Sequence, residues 1–201
     1  MNAAVWQLYR GLEALYQTNS GLDPRHLVRL QDGPSAGAQE TLLVREADGA
    51  LEVALLLDAD LVATLGPQSL SDDARLGDAL PVVEGLSHLC YLAEAARQER
   101  PISGLELETQ AEVDKLALTV LSRWGQADDD FDRIVDRLYY RFTLRAMEPA
   151  LTRRYHTANR VALSFSRRIR PHVRGRRLSA LRQCLREFWH SPMSQKRALA
   201  S

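Results

Sequence analysis

Cysteine, lysine and long apolar runs are all scarce in this chain, and each scarcity removes a class of protein. The only sulfurs of cysteine, Cys90 and Cys184, lie far apart inside helical patterns, a spacing that suits neither a disulfide scaffold nor a zinc module. Buried thiols in a reducing cytoplasm are the expectation. No window approaches the roughly 18 consecutive apolar residues of a membrane span. The opening segment, Met1 to Gln17, has no basic leader and sets Trp6, Leu8, Tyr9, Leu12, Leu15 and Tyr16 at helical spacing, so it reads as a helix of the mature protein. Missing too are a Gly-rich phosphate loop, a Gly-x-Ser-x-Gly elbow, a Cys-x-x-Cys pair and the strand–helix alternation of a Rossmann sheet. No zinc-finger or RNA-binding aromatic signature is present either. Lysine is limited to Lys115 and Lys196 among 26 basic residues.

What remains is an ordinary core-forming composition, 45% apolar and 26% charged over 201 residues. A chain of this size buries roughly 70% of its extended surface as one domain, and one domain over 1–201 is the expectation. Within it, 1–70 form a helix and β-hairpin subregion, 71–190 a helical bundle and 191–201 a frayed tail. The net charge of zero conceals a split: residues 1–132 hold 9 Lys/Arg against 23 Asp/Glu, and residues 133–201 hold 17 against 3. A segment so basic seeks negative charge on nucleic acid, on a partner protein or on its own acidic half.

Asp23-Pro24 reads as an N-cap and first helical residue, opening a short helix through about Leu30. Thr41 to Ala47 and Ala50 to Leu57 flank Asp48-Gly49, the dipeptide of a type I′ hairpin. A two-residue loop pairs Ala47 with Ala50, Arg45 with Glu52, Val44 with Val53, Leu43 with Ala54 and Leu42 with Leu55. Such a hairpin is marginal alone, so it lies on helices or joins another hairpin at its edge in a homodimer. Asp58 caps a short helix ending at Gly66-Pro67. Long helices follow: Ala79 to about Arg97 with Pro81 in its first turn, then one opened by the Ser103/Glu106 capping box and running to about Trp124. An acidic linker through Asp128, Asp129, Asp130 and Asp132 marks a hinge before a helix from Phe131 to about Met147. Another spans Ala150 to Ile169, Pro171 to Gly175 break the pattern, and a last helix covers Arg177 to His190. The fold class is α+β, mainly α: N-terminal helices and one β-hairpin followed by a bundle of four to five long helices.

Two constellations carry chemistry. Glu84 and His88 share a face of one apolar helix, and Glu108 and Glu112 share a face of the next. Antiparallel packing across Pro101 would converge Glu84, His88, Glu108 and Glu112, a donor set for a hard or borderline divalent metal. Ion pairing of the same groups with the basic half is the structural alternative. In the basic region, Leu151, Tyr155, Ala158, Ala162, Phe165 and Ile169 form a buried stripe, leaving Arg153, His156, Asn159, Arg160 and Arg167 to contact an anion or partner. Guanidinium groups at helical spacing track phosphates or an acidic helix. Internal pairing with the Asp128 to Asp132 cluster would also satisfy them.

The leading expectation is a cytoplasmic interaction or regulatory module whose basic C-terminal helices contact an acidic partner, protein or nucleic acid, without a cofactor. The rival is a small metal-dependent enzyme centred on Glu84, His88, Glu108 and Glu112. Asn159 and Arg160 would orient a substrate anion.

Overall fold

Hairpin pairing follows from side-chain charge and apolar alternation, and the register comes out as the sequence dictates. A computed structural model describes residues 2–33, 39–47, 50–141 and 148–201. Strands β2 (Glu40–Ala47) and β3 (Ala50–Asp58) pair antiparallel with Ala47 opposite Ala50, Arg45 opposite Glu52 and Leu42 opposite Leu55. Arg45 Nε donates to Glu52 Oε2 at 2.9 Å, the opposite-charge pair that fixes the alignment. The Asp48-Gly49 turn itself lies outside the described residues.

Contacts divide the chain into two compact units, Met1–Pro101 and Ile102–Ser201. The first carries 7 Lys/Arg against 15 Asp/Glu and the second 19 against 11, so formal charges of −8 and +8 belong to separate compact units.

In the first unit, helix α1 (Ala3–Tyr16) is capped by Asn2, and α2 (Pro24–Leu27) by Asp23, with Pro24 at its first position. The expected run of that short helix to Leu30 is corrected: the chain turns extended at Val28, and β1 (Val28–Gln31) pairs parallel with β3, giving the order β1-β3-β2. Val28 is buried opposite Leu55, so a β-branched side chain on a strand face outweighs helix continuation. Asp58 caps α3 (Ala59–Thr64), as expected.

The sheet lies on α4 (Asp73–Arg97), the first of the two outcomes open to an isolated hairpin. Gly85 permits the approach, because a Cβ there would meet Leu55 Cδ1 at 2.8 Å. Helix α4 begins six residues before Ala79, where Asp72 accepts from Ala74 N at 2.9 Å. Pro81 therefore sits inside the helix and not in its first turn. Its missing N–H leaves the carbonyl of Gly77 without the usual i+4 donor. Leu76, Ala79, Val82, Val83, Leu86 and Leu89 are all buried, explaining why this helix lacks a polar stripe.

In the second unit, α5 (Gly104–Ser122) starts where Ser103 Oγ accepts from Glu106 N at 3.2 Å. The acidic stretch is not a linker or a hinge. Asp128, Asp129 and Asp130 occupy the first turn of α6 (Ala127–Val135), where the free N–H groups and the helix dipole favour negative charge. A π-helical turn, Asp136–Tyr140, continues it, and the expected end at Met147 falls outside the described residues.

Helix α7 (Pro149–Arg174) places Pro149 at its first position and passes through Pro171 without stopping. The expected break at Pro171 is thus displaced to Gly175, which caps the helix through its N–H to Pro171 O at 3.1 Å. Ala158, Ala162, Phe165 and Ile169 form the buried stripe. Phe165 meets Phe188 of α8 (Leu178–His190) with ring centroids 4.2 Å apart. Residues 191–201 are not frayed: α9 (Met193–Leu199) is held by Lys196, whose side chain is fully buried. Its ammonium donates to Gln110 Oε1 at 2.6 Å and Phe188 O at 2.5 Å and lies 4.4 Å from the Phe188 ring centroid. No helix among the described residues is long and apolar enough to cross a membrane, and neither cysteine is in a disulfide.

Candidate functional site

Helical spacing brings Glu84 and His88 to adjacent turns of α4, with His88 buried at 6% exposure and Glu84 half-buried. Burying a carboxylate beside an imidazole is stable only where charge and hydrogen bonding compensate the lost water. On α5, Glu108 and Glu112 are likewise one turn apart and each 8% exposed.

Their fates differ. Glu112 is held locally: Lys115 Nζ donates to its Oε1 at 2.6 Å, both side chains are about one-tenth exposed, and Tyr139 donates to its backbone carbonyl at 3.0 Å. Burial, together with the negative charges of Glu112 and Asp114, pushes the Tyr139 hydroxyl well above its ordinary pKa, so it remains a donor. Glu84 and His88 thus offer a carboxylate and an imidazole together on α4, and Glu108 offers a carboxylate on α5. Glu112 drops out of the expected four because an ammonium three residues along its own helix claims it.

The basic residues also separate into two populations. Arg170 and Arg174 both donate to Asp132 Oδ2 at 2.6 Å, and Arg176 donates to both oxygens of Asp128 at 2.9 and 3.0 Å. Arg168 reaches Glu187 at 3.1 Å. The Arg176 guanidinium holds the Asp128 carboxyl below its usual range. Internal pairing with the Asp128 to Asp132 cluster therefore accounts for the arginines nearest the C-terminal end of α7.

Arg153, Arg160 and Arg167 are exposed and have no carboxylate partner among the described residues, and His156 is exposed on the same side. Asn159 does not join them. It is 6% exposed, turned into the core beside Ala158 and Ala162, and its Nδ2 finds no acceptor among the described residues. Its position one residue before Arg160 rotates it about 100° around the helix, off the exposed face. Sequence reasoning also missed Lys196, because a lone lysine near a chain end reads as surface. Only its four-residue spacing to Ala200 and three-residue spacing to Met193 hinted at a packed helical face.

No protein-family profile, no curated protein and no solved structure matches the chain.

Proposed function

We propose that this protein is a divalent-metal-dependent enzyme whose ion is held by Glu84 and His88 of α4. The donor pair carries the reading. A carboxylate and an imidazole one helical turn apart suit borderline and hard divalent ions such as zinc or manganese. The ion would supply Lewis-acid activation of a bound water. Burial of His88 supports the reading further, since it keeps the imidazole in a fixed rotamer and away from bulk solvent.

Calorimetric titration of the full chain with Zn²⁺ and with Mn²⁺ tests it. Saturable binding of one ion per chain, weakened at least tenfold in Glu84→Gln and His88→Gln but retained in Glu112→Gln, is the expected result. Equal affinity in all four proteins would refute it.

A second reading is favoured by the exposed guanidinium groups of Arg153, Arg160 and Arg167, which no carboxylate among the described residues neutralises. In it, the outer face of α7 receives an acidic partner. Binding of an acidic peptide that weakens from about 50 to 200 mM salt, and weakens again in the triple Arg→Gln variant, is the expected behaviour. Salt-independent binding would argue against it.

A further inference from the structure

The second unit contains a groove of about 430 Å³ with α7 on one wall and α9 on the other. Thr157, Arg160, Val161 and Ser164 recur at one helical face of α7, and Arg197, Ala200 and Ser201 supply the opposite wall, the Ser201 hydroxyl being committed to the Arg197 carbonyl at 2.9 Å. The volume falls within the range of small-molecule sites, roughly 300–1,000 Å³.

Three observations give it a chemical character. First, no Asp or Glu side chain among the described residues lines the groove, and neither Arg160 nor Arg197 has a carboxylate partner among them. The contrast with Arg168, Arg170, Arg174 and Arg176, all paired internally, makes this pair of like charges an uncompensated feature of the same unit. Second, the wall carrying Arg197 is anchored. Lys196 is locked inside by Gln110 and the Phe188 carbonyl, and the next residue along the helix is thereby directed outward at a fixed angle. Third, the surface between the cations offers the Ser164 hydroxyl and the apolar Val161 and Ala200 side chains. The Thr157 hydroxyl is already committed to the Arg153 carbonyl at 2.8 Å.

Two forked guanidinium groups and a hydroxyl around a vacant volume match a tetrahedral dianion, which accepts bidentate bonds from arginine. The apolar floor gives room for a short carbon skeleton beyond it. The geometry points to a binding site for a small phosphate monoester between α7 and α9. This site shares only Arg160 with the acidic-partner surface and nothing with the metal set, so each reading can fail alone.

The test uses the full chain labelled with ¹⁵N, following arginine Nε–Hε resonances during titration with ribose 5-phosphate and, separately, inorganic phosphate. Saturable shifts of Arg160 and Arg197 are expected, tighter for the ester than for inorganic phosphate. Arg160→Gln and Arg197→Gln each weaken binding roughly tenfold, the worth of one charge-assisted hydrogen bond, while Arg182→Gln, at an exposed position of α8, leaves it unchanged. Equal weakening by Arg182→Gln would overturn the inference, because a diffuse basic surface would then explain binding. Absence of saturation, or binding of inorganic phosphate alone, would overturn it as well.

Discussion

Replacing Lys196 by methionine keeps most of the buried side-chain volume and removes the ammonium. In the native unit that ammonium donates to Gln110 Oε1 at 2.6 Å and to Phe188 O at 2.5 Å, with no exposure to water. A hydrogen bond involving a charged group contributes about 1.5–3 kcal/mol, and acceptors stranded in the interior cost a similar amount. Relief from burying the charge offsets part of that loss. The net expectation for Lys196→Met is a destabilisation of roughly 2–4 kcal/mol, a large share of the 5–15 kcal/mol that holds a typical domain together. Urea unfolding followed by tryptophan fluorescence reports it through Trp189, fully buried near this contact. With an m-value of about 2 kcal/mol/M, the transition of the second unit should move down by about 1–2 M. A Lys196→Met protein as stable as the native one, or more so, would refute the claim that this lysine secures α9.

Acid should release the α6–α7 connection only below the ordinary aspartate range. Arg176 depresses the Asp128 carboxyl below its ordinary 3.8, so the pair's contribution is complete above that value and is lost as pH falls through the lower folded value. Carbon-detected NMR should place the native Asp128 midpoint below 3.8 and return it toward 3.8 in Arg176→Gln, whereas a native midpoint at or above 3.8 would contradict the pairing. The acidic peptide and phosphate titrations described above separate the outer face of α7 from the groove beside α9.

Elements fixed by neighbouring residues were legible in the sequence. Asp48-Gly49 and the Arg45/Glu52 pairing determine the hairpin register, while Asp58 and Ser103 mark helix starts through their own hydrogen bonds. The four-residue spacing of Glu84 and His88 likewise set them on one helix face. Elements fixed by distant partners were not. The strand β1 has only four residues and owes its state to β3, more than 20 positions away. Pro81 read as a first-turn residue and Pro171 as a break, yet packing of the surrounding apolar residues carries both helices through them. Lys196 is buried because acceptors on α5 and α8 meet it, and no local pattern encodes that. Spacing also proposed both carboxylates of α5 as metal ligands. Lys115, three positions from Glu112, removes one of them, a competition that the same spacing rules contained.

Elemental analysis after purification in metal-replete medium and exhaustive dialysis tests the central claim most directly. One divalent ion per chain is expected in the native protein and in Glu112→Gln, and its loss from Glu84→Gln and His88→Gln while their folded state persists. Metal-free native protein, or metal retained in both of those variants, would contradict it.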